Sequence, residues 1–151
     1  MISTSLKIRI LRATAFSVAT YGSESWTLKK ADLARIDAFE MWSYRRVLRV
    51  SWKEKKTNVW VLEKVGSCLT LRRDISNRKM RFFGHVMRHD CLEKLLIQGK
   101  VEGKRKRGRP SKGWMDDIKE RTGLTAVGAT RLTDDRKMWS ALLVATPAHM
   151  R

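Results

Sequence analysis

Trp114-Met115-Asp116-Asp117 is the stretch whose residue types come nearest to a catalytic centre, with two carboxylates side by side behind an aromatic. Adjacent carboxylates can hold two divalent ions for phosphoryl transfer. That chemistry needs the pair on a tight turn between apolar strands, with a third Asp from a distant strand. Here the chain runs on as Ile118-Lys119-Glu120-Arg121, a charged and helix-forming continuation. Asp116 and Asp117 therefore read as first-turn acids favoured by the helix dipole. Cys68, His85, His89 and Cys91 are four possible soft metal ligands, and His85 and His89 lie one helical turn apart. Structural zinc sites draw their cysteines from close pairs, and this set has none. No metal, no cofactor and no nucleophile–base arrangement is expected.

The third chemistry-bearing group is basic. Gly103 to Trp114 reads G-K-R-K-R-G-R-P-S-K-G-W, within a chain of Lys+Arg 33 against Asp+Glu 15 and net charge +18. An excess this large opposes compaction by self-repulsion, so a polyanionic partner is its natural reason. Arg107-Gly108-Arg109-Pro110 has the core of an AT-hook, in which an extended backbone lies in a narrow minor groove and both arginines follow its floor. Lys104 to Arg107 also fits a short nuclear-import signal. Both patterns are common in basic proteins, and this one leads straight into a helical segment bearing Trp114 and Ile118. A hook more often floats in disordered sequence.

The elements that must position these groups are helical. Proline occurs only at 110 and 147, and hydrophobic residues make up 42% of the 151 residues, six of them Trp. Leu6 to Tyr21 forms a helix with Leu6, Ile10, Leu11, Val18 and Tyr21 on one side, ended by Gly22. Ala31 to Val50 forms a second, with Leu33, Ile36, Tyr44 and Val47 in a stripe and Arg45, Arg46 and Arg49 in its last turns. Asn58 to Val65 is short, carries Val59, Trp60 and Leu62, and ends at Gly66. Leu71 to Arg88 sets Leu71, Ile75, Phe82 and Val86 against a face of Arg73, Asn77, Arg81 and Arg88. Leu95 to Val101 pairs with Lys104 to Arg109 as a small hairpin; a helical section with Trp114 and Ile118 on one face follows, then a break at Gly123 and a helix from Asp134 to Ala145. The fold class is all-α, a helical bundle with a small basic β-hairpin or loop and a C-terminal helical extension. No apolar run is long enough to span a bilayer, no signal peptide opens the chain, and two cysteines offer no disulfide framework. An intracellular, nuclear setting is expected, with neither a membrane nor a small-molecule substrate as partner.

Taken in order, these blocks resemble a known family. Ala19-Thr20-Tyr21-Gly22-Ser23-Glu24-Ser25-Trp26 is similar to the segment just after the palm of non-LTR (LINE-type) retrotransposon reverse transcriptases, of the endonuclease–reverse transcriptase type. Ala38-Phe39-Glu40-Met41-Trp42 with Arg45-Arg46, then Arg49-Val50-Ser51-Trp52, continue the resemblance. Arg81-Phe82-Phe83-Gly84-His85-Val86-Met87-Arg88, the Gly99 to Pro110 segment, Trp114-x-Asp116-Asp117-Ile118 and Asp135-Arg136-x-x-Trp139 complete it. The resemblance implies a helical thumb over residues 4–89 and a C-terminal extension after it; the residues of that extension read as a basic hairpin or loop and C-terminal helices over 90–146, with a frayed tail at 147–151. It also implies that the palm, with its catalytic carboxylates, and the endonuclease lie before Met1, making the chain a non-catalytic fragment. Such a thumb grips the backbone of an RNA–DNA hybrid or duplex DNA. The residues expected to do so are Arg45, Arg46, Arg49, Arg73, Arg81, His85, Arg88, Lys104, Arg105, Lys106, Arg107, Arg109 and Lys112. A chromatin-type DNA binder using the hook-like loop, and a remnant with no function, are the alternatives. The apolar side of the first helix would face the missing palm and stand exposed without it.

Overall fold

The computed structural model describes residues 3–66, 70–99, 108 and 112–145. Among them every regular element is helical and there is no strand, as an all-α fold requires. Helix α1 (Thr4–Leu11) passes through a π turn (Arg12–Phe16) into the short α2 (Ser17–Ala19); α3 (Lys30–Leu48), α4 (Asn58–Val65), α5 (Leu71–Met87) and α6 (Leu92–Gln98) follow. The series ends with α7 (Trp114–Thr122), α8 (Ala126–Leu132) and α9 (Arg136–Ala145). No described helix is long and apolar enough to cross a membrane. Two compact units divide the chain. One holds the described residues up to Gly22 together with Lys29–Ile75, and the other holds Ser23–Leu28 with those from Ser76 onward. The division thus falls inside α5, earlier than the expected boundary at 89/90.

The first unit has its core at Ile8, Phe16, Met41, Tyr44, Val61 and Leu71. Of the stripe expected on one side of the first helix, Leu6, Ile10 and Val18 are exposed and Tyr21 is 84% exposed, while Leu11 is half-buried against the core. The π turn explains which residues go inside instead. An i→i+5 turn holds more residues than an α turn, so Phe16 comes into phase with Ile8 and Leu11 and enters the core. In α4, Val61 is fully buried and Val59 exposed. At the other end of this unit, Gly66 caps α4 in the left-handed conformation, φ 65°. Glycine accepts that geometry without a Cβ penalty.

A carboxylate sits among these apolar side chains. Glu40, on α3, is fully buried. Its Oε1 accepts from the Tyr44 hydroxyl at 2.8 Å, from the Thr70 amide at 2.7 Å and from the Thr70 hydroxyl at 3.1 Å. Its Oε2 accepts from the Leu71 amide at 2.9 Å. Glu40 therefore caps the start of α5 from thirty residues away, where amide hydrogens lack intrahelical partners and the helix dipole favours an anion. Asp37, one turn earlier, holds the guanidinium of Arg72 through Nε and Nη2. Burial pushes the Tyr44 phenol above its ordinary range, and the neighbouring carboxylate of Glu40 adds to that shift while Arg12 opposes it.

The second unit is built on α5 around Met80, Phe83, Val86, Met87, Ile118, Ala129 and Trp139. Trp139 lies against Gly84: a Cβ built there would stand 2.4 Å from the indole nitrogen, which itself donates to the Met80 carbonyl at 3.2 Å. Gly84 and Trp139, far apart in sequence, are thus one packing requirement. Residues 95–98, expected as the first strand of a hairpin, belong instead to α6, which Gly99 ends in the left-handed conformation. The rest of that expected hairpin lies outside the described residues, apart from Gly108.

Candidate nucleic-acid interface

The Asp pair of the Trp114 stretch occupies the first turn of α7. Asp116 Oδ2 accepts from the Gly113 amide at 2.8 Å, and that bond, helped by Lys119, holds its carboxyl below the usual range. Asp117 turns inward. It takes an ion pair from Lys79 of α5 and another from Lys112 at 2.7 Å. The Lys79 ammonium is itself buried, donates to the Trp26 carbonyl at 2.7 Å and lies 4.7 Å from the centre of the Trp114 ring. Trp114 in turn donates from Nε1 to the Glu24 carbonyl at 2.8 Å. The Ser23–Leu28 segment, α5 and α7 are therefore tied by one polar network. Burial pulls the Lys79 pKa below the lysine range, and Asp117 opposes the fall. On Lys112 burial acts in the same downward sense, but Asp117 and Glu120 together outweigh it and raise the pKa.

This geometry sorts the residues expected to meet nucleic acid. Arg45 is not available: both its terminal nitrogens donate to the Lys56 carbonyl at 3.0 Å, and one also reaches Asn58 Oδ1 at 2.8 Å. It fastens the loop after α3 to the end of that helix. Arg88 donates to the Thr133 carbonyl at 3.1 Å, and Lys112 is neutralised by Asp117 and Glu120. These three are structural, because each meets a carbonyl, amide oxygen or carboxylate of its own unit. Arg46, Arg49, Arg73, Arg81 and His85 are exposed. His85 packs its ring against His89, centroids 4.7 Å apart. Lys104, Arg105, Lys106, Arg107 and Arg109 lie outside the described residues, as does Cys68. Among the described residues no group of His, Cys, Asp and Glu gathers as a metal site would require.

Reading charge alone missed two features. One is Arg121, whose Nη2 donates to Asn77 Oδ1 at 2.5 Å while Nε and Nη1 are buried without partners among the described residues. The other is aromatic. Within the first unit Arg46 sits over the Trp42 ring at 5.3 Å, and Lys56 and Lys64 lie over Trp60 at 5.0 and 5.8 Å. Trp42 is more than half exposed and Trp52 is 95% exposed. The interleaving of Trp and cations from 42 to 64 is visible in the sequence once one asks which tryptophans a core could not take. The segment can offer phosphates several positive charges and offer bases flat apolar rings. Compared with known proteins, the chain matches no family model, no curated protein and no solved structure.

Proposed function

We propose that this chain is a non-catalytic nucleic-acid-binding module that grips the backbone of a duplex, as the thumb and extension of a non-LTR reverse transcriptase would. The observation that supports the reading most is the set of exposed tryptophans and cations between residues 42 and 64, among them Trp42, Arg46, Arg49, Trp52 and Lys55, in a chain of net charge +18. Such contacts fix position on a duplex and carry little sequence information. The engagement of Asp117 with Lys79 and Lys112 supports a structural role for the Asp pair. The proposed partner is an RNA–DNA hybrid or duplex DNA, and the proposed setting is the nucleus.

The test compares wild type with a variant carrying Arg105→Ala, Arg107→Ala and Arg109→Ala on AT-rich duplex, GC-rich duplex and hybrid. Backbone gripping predicts weaker binding to all three in similar proportion, and a log–log salt dependence flatter by up to about three units. A variant that loses only a preference for AT-rich DNA would make the loop a minor-groove reader and overturn its part in this reading.

A further inference from the structure

The Trp52 turn has the features of a built platform rather than a stray loop. Trp52 to Glu54 is a single 3-10 turn, closed by Ser51 Oγ accepting from the Lys53 amide and by Glu54 Oε1 accepting from the Ser51 amide at 2.8 Å. It is flanked by Arg49 and Lys55, at φ 56° and 46°. These are the described non-glycine residues in the left-handed region, which Gly or Asn would occupy at lower cost. Strained backbone of this kind concentrates at ligand sites. Arg45 fastens the far side of the loop to α3 through Lys56 and Asn58. The result is an indole held out to solvent by a locally braced turn and surrounded in sequence by Arg49, Lys53 and Lys55, whose side chains form no ion pair among the described residues.

We propose that Trp52, beside Arg49, Lys53 and Lys55, is a stacking site for the unpaired bases of single-stranded nucleic acid. This rests on the nucleic-acid reading above and names the part of the ligand this surface takes. The commitment to an anion-bearing aromatic partner follows from the charge. A protein or apolar partner for Trp52 would have to seat uncompensated cations beside it, whereas a single strand presents a phosphate for each base it stacks.

The experiment uses the full chain and measures binding of a short oligothymidylate, its RNA counterpart and an abasic strand with the same number of phosphates, at one salt concentration. Stacking predicts that the base-bearing strands bind about tenfold or more tighter than the abasic strand. Trp52→Ala should collapse that ratio to near unity with an unchanged circular dichroism spectrum, while Trp52→Phe should keep most of it. Equal binding of base-bearing and abasic strands, or a ratio untouched in Trp52→Ala, overturns the stacking site but leaves backbone gripping intact. If neither these strands nor a duplex of equal length, measured beside them at low and high salt, binds in a salt-dependent way, the broader reading fails with it. If Trp52→Ala instead turns a dimer into a monomer in sedimentation, the surface belongs to a second copy of the chain and the proposal is wrong.

Discussion

Replacing Glu40 with alanine is expected to be among the most damaging single changes in the chain, costing about 3–5 kcal/mol of folding stability. The substitution removes an acceptor used by the Thr70 amide and hydroxyl, the Leu71 amide and the Tyr44 hydroxyl. Those donors stay buried and lose their partners, so the loss is the full desolvation cost of each rather than the small net value of a hydrogen bond. Glu40→Gln keeps the shape but removes the charge at the start of α5 and turns one acceptor into a donor facing amides. It should fall between wild type and alanine. Denaturant melts of the three proteins read the effect directly. Wild-type stability in the alanine variant would mean that water or a rearranged α5 start satisfies those groups equally well.

The second large effect belongs to Asp117. Asp117→Ala leaves the Lys79 ammonium buried without its counter-ion, and breaking one side of a buried pair costs about 3–5 kcal/mol. Asp116→Ala removes only a cap to the Gly113 amide and should be far milder. A metal-binding pair would couple both residues to one reaction; a structural network separates them by stability. The pH dependence adds a sign. Burial lowers the folded-state pKa of Lys79, so between that value and the ordinary lysine value the unfolded chain binds more protons and stability rises with pH. Without Asp117 the fall deepens and the window widens, so the alanine variant should recover part of its stability under alkaline conditions. Lys112 works the other way, its raised pKa giving stability that is lost as pH climbs above the lysine range. Melts of wild type, Asp116→Ala and Asp117→Ala across neutral and alkaline pH settle the ranking. Equal loss in the two alanine variants, or no alkaline recovery for Asp117→Ala, would contradict the network.

Local signals carried most of the secondary structure. The left-handed caps at Gly66 and Gly123 follow from glycine after an amphipathic run, whereas the first helical stretch ends at Ala19 with Thr20 as its cap, before Gly22. Leu33, Tyr44, Leu71, Ile75 and Val86 are buried where helical spacing puts them. The two misses have separate causes. A helical wheel assumes a constant turn, so the π turn at 12–16 shifts which residues face the core. An apolar run such as Leu95-Leu96-Ile97 suits a strand or a helix equally, and α6 took it. The site was less legible. Arg45, Arg88 and Lys112 look like any other cation until carbonyls and carboxylates beyond their own helical turns claim them. Glu40 and Lys79 are charged residues that only tertiary contacts can justify burying. The exposed tryptophans are the reverse case, since their type argues for a core that the fold does not give them.

The most direct measurement of the central claim is the salt dependence of binding to an RNA–DNA hybrid, for wild type and for a variant carrying Arg46→Glu and Arg49→Glu. Both side chains are exposed, so the variant should still fold; it loses the Arg46–Trp42 contact and places an acid in the last turn of α3, at a cost of about 1–2 kcal/mol read from a parallel melt. The account predicts an affinity for hybrid and duplex DNA that falls steeply and linearly on a log–log salt plot. It also predicts a variant weaker at every salt concentration, with a slope flatter by about two units. An affinity indifferent to salt, or a variant that binds as wild type does, would contradict it.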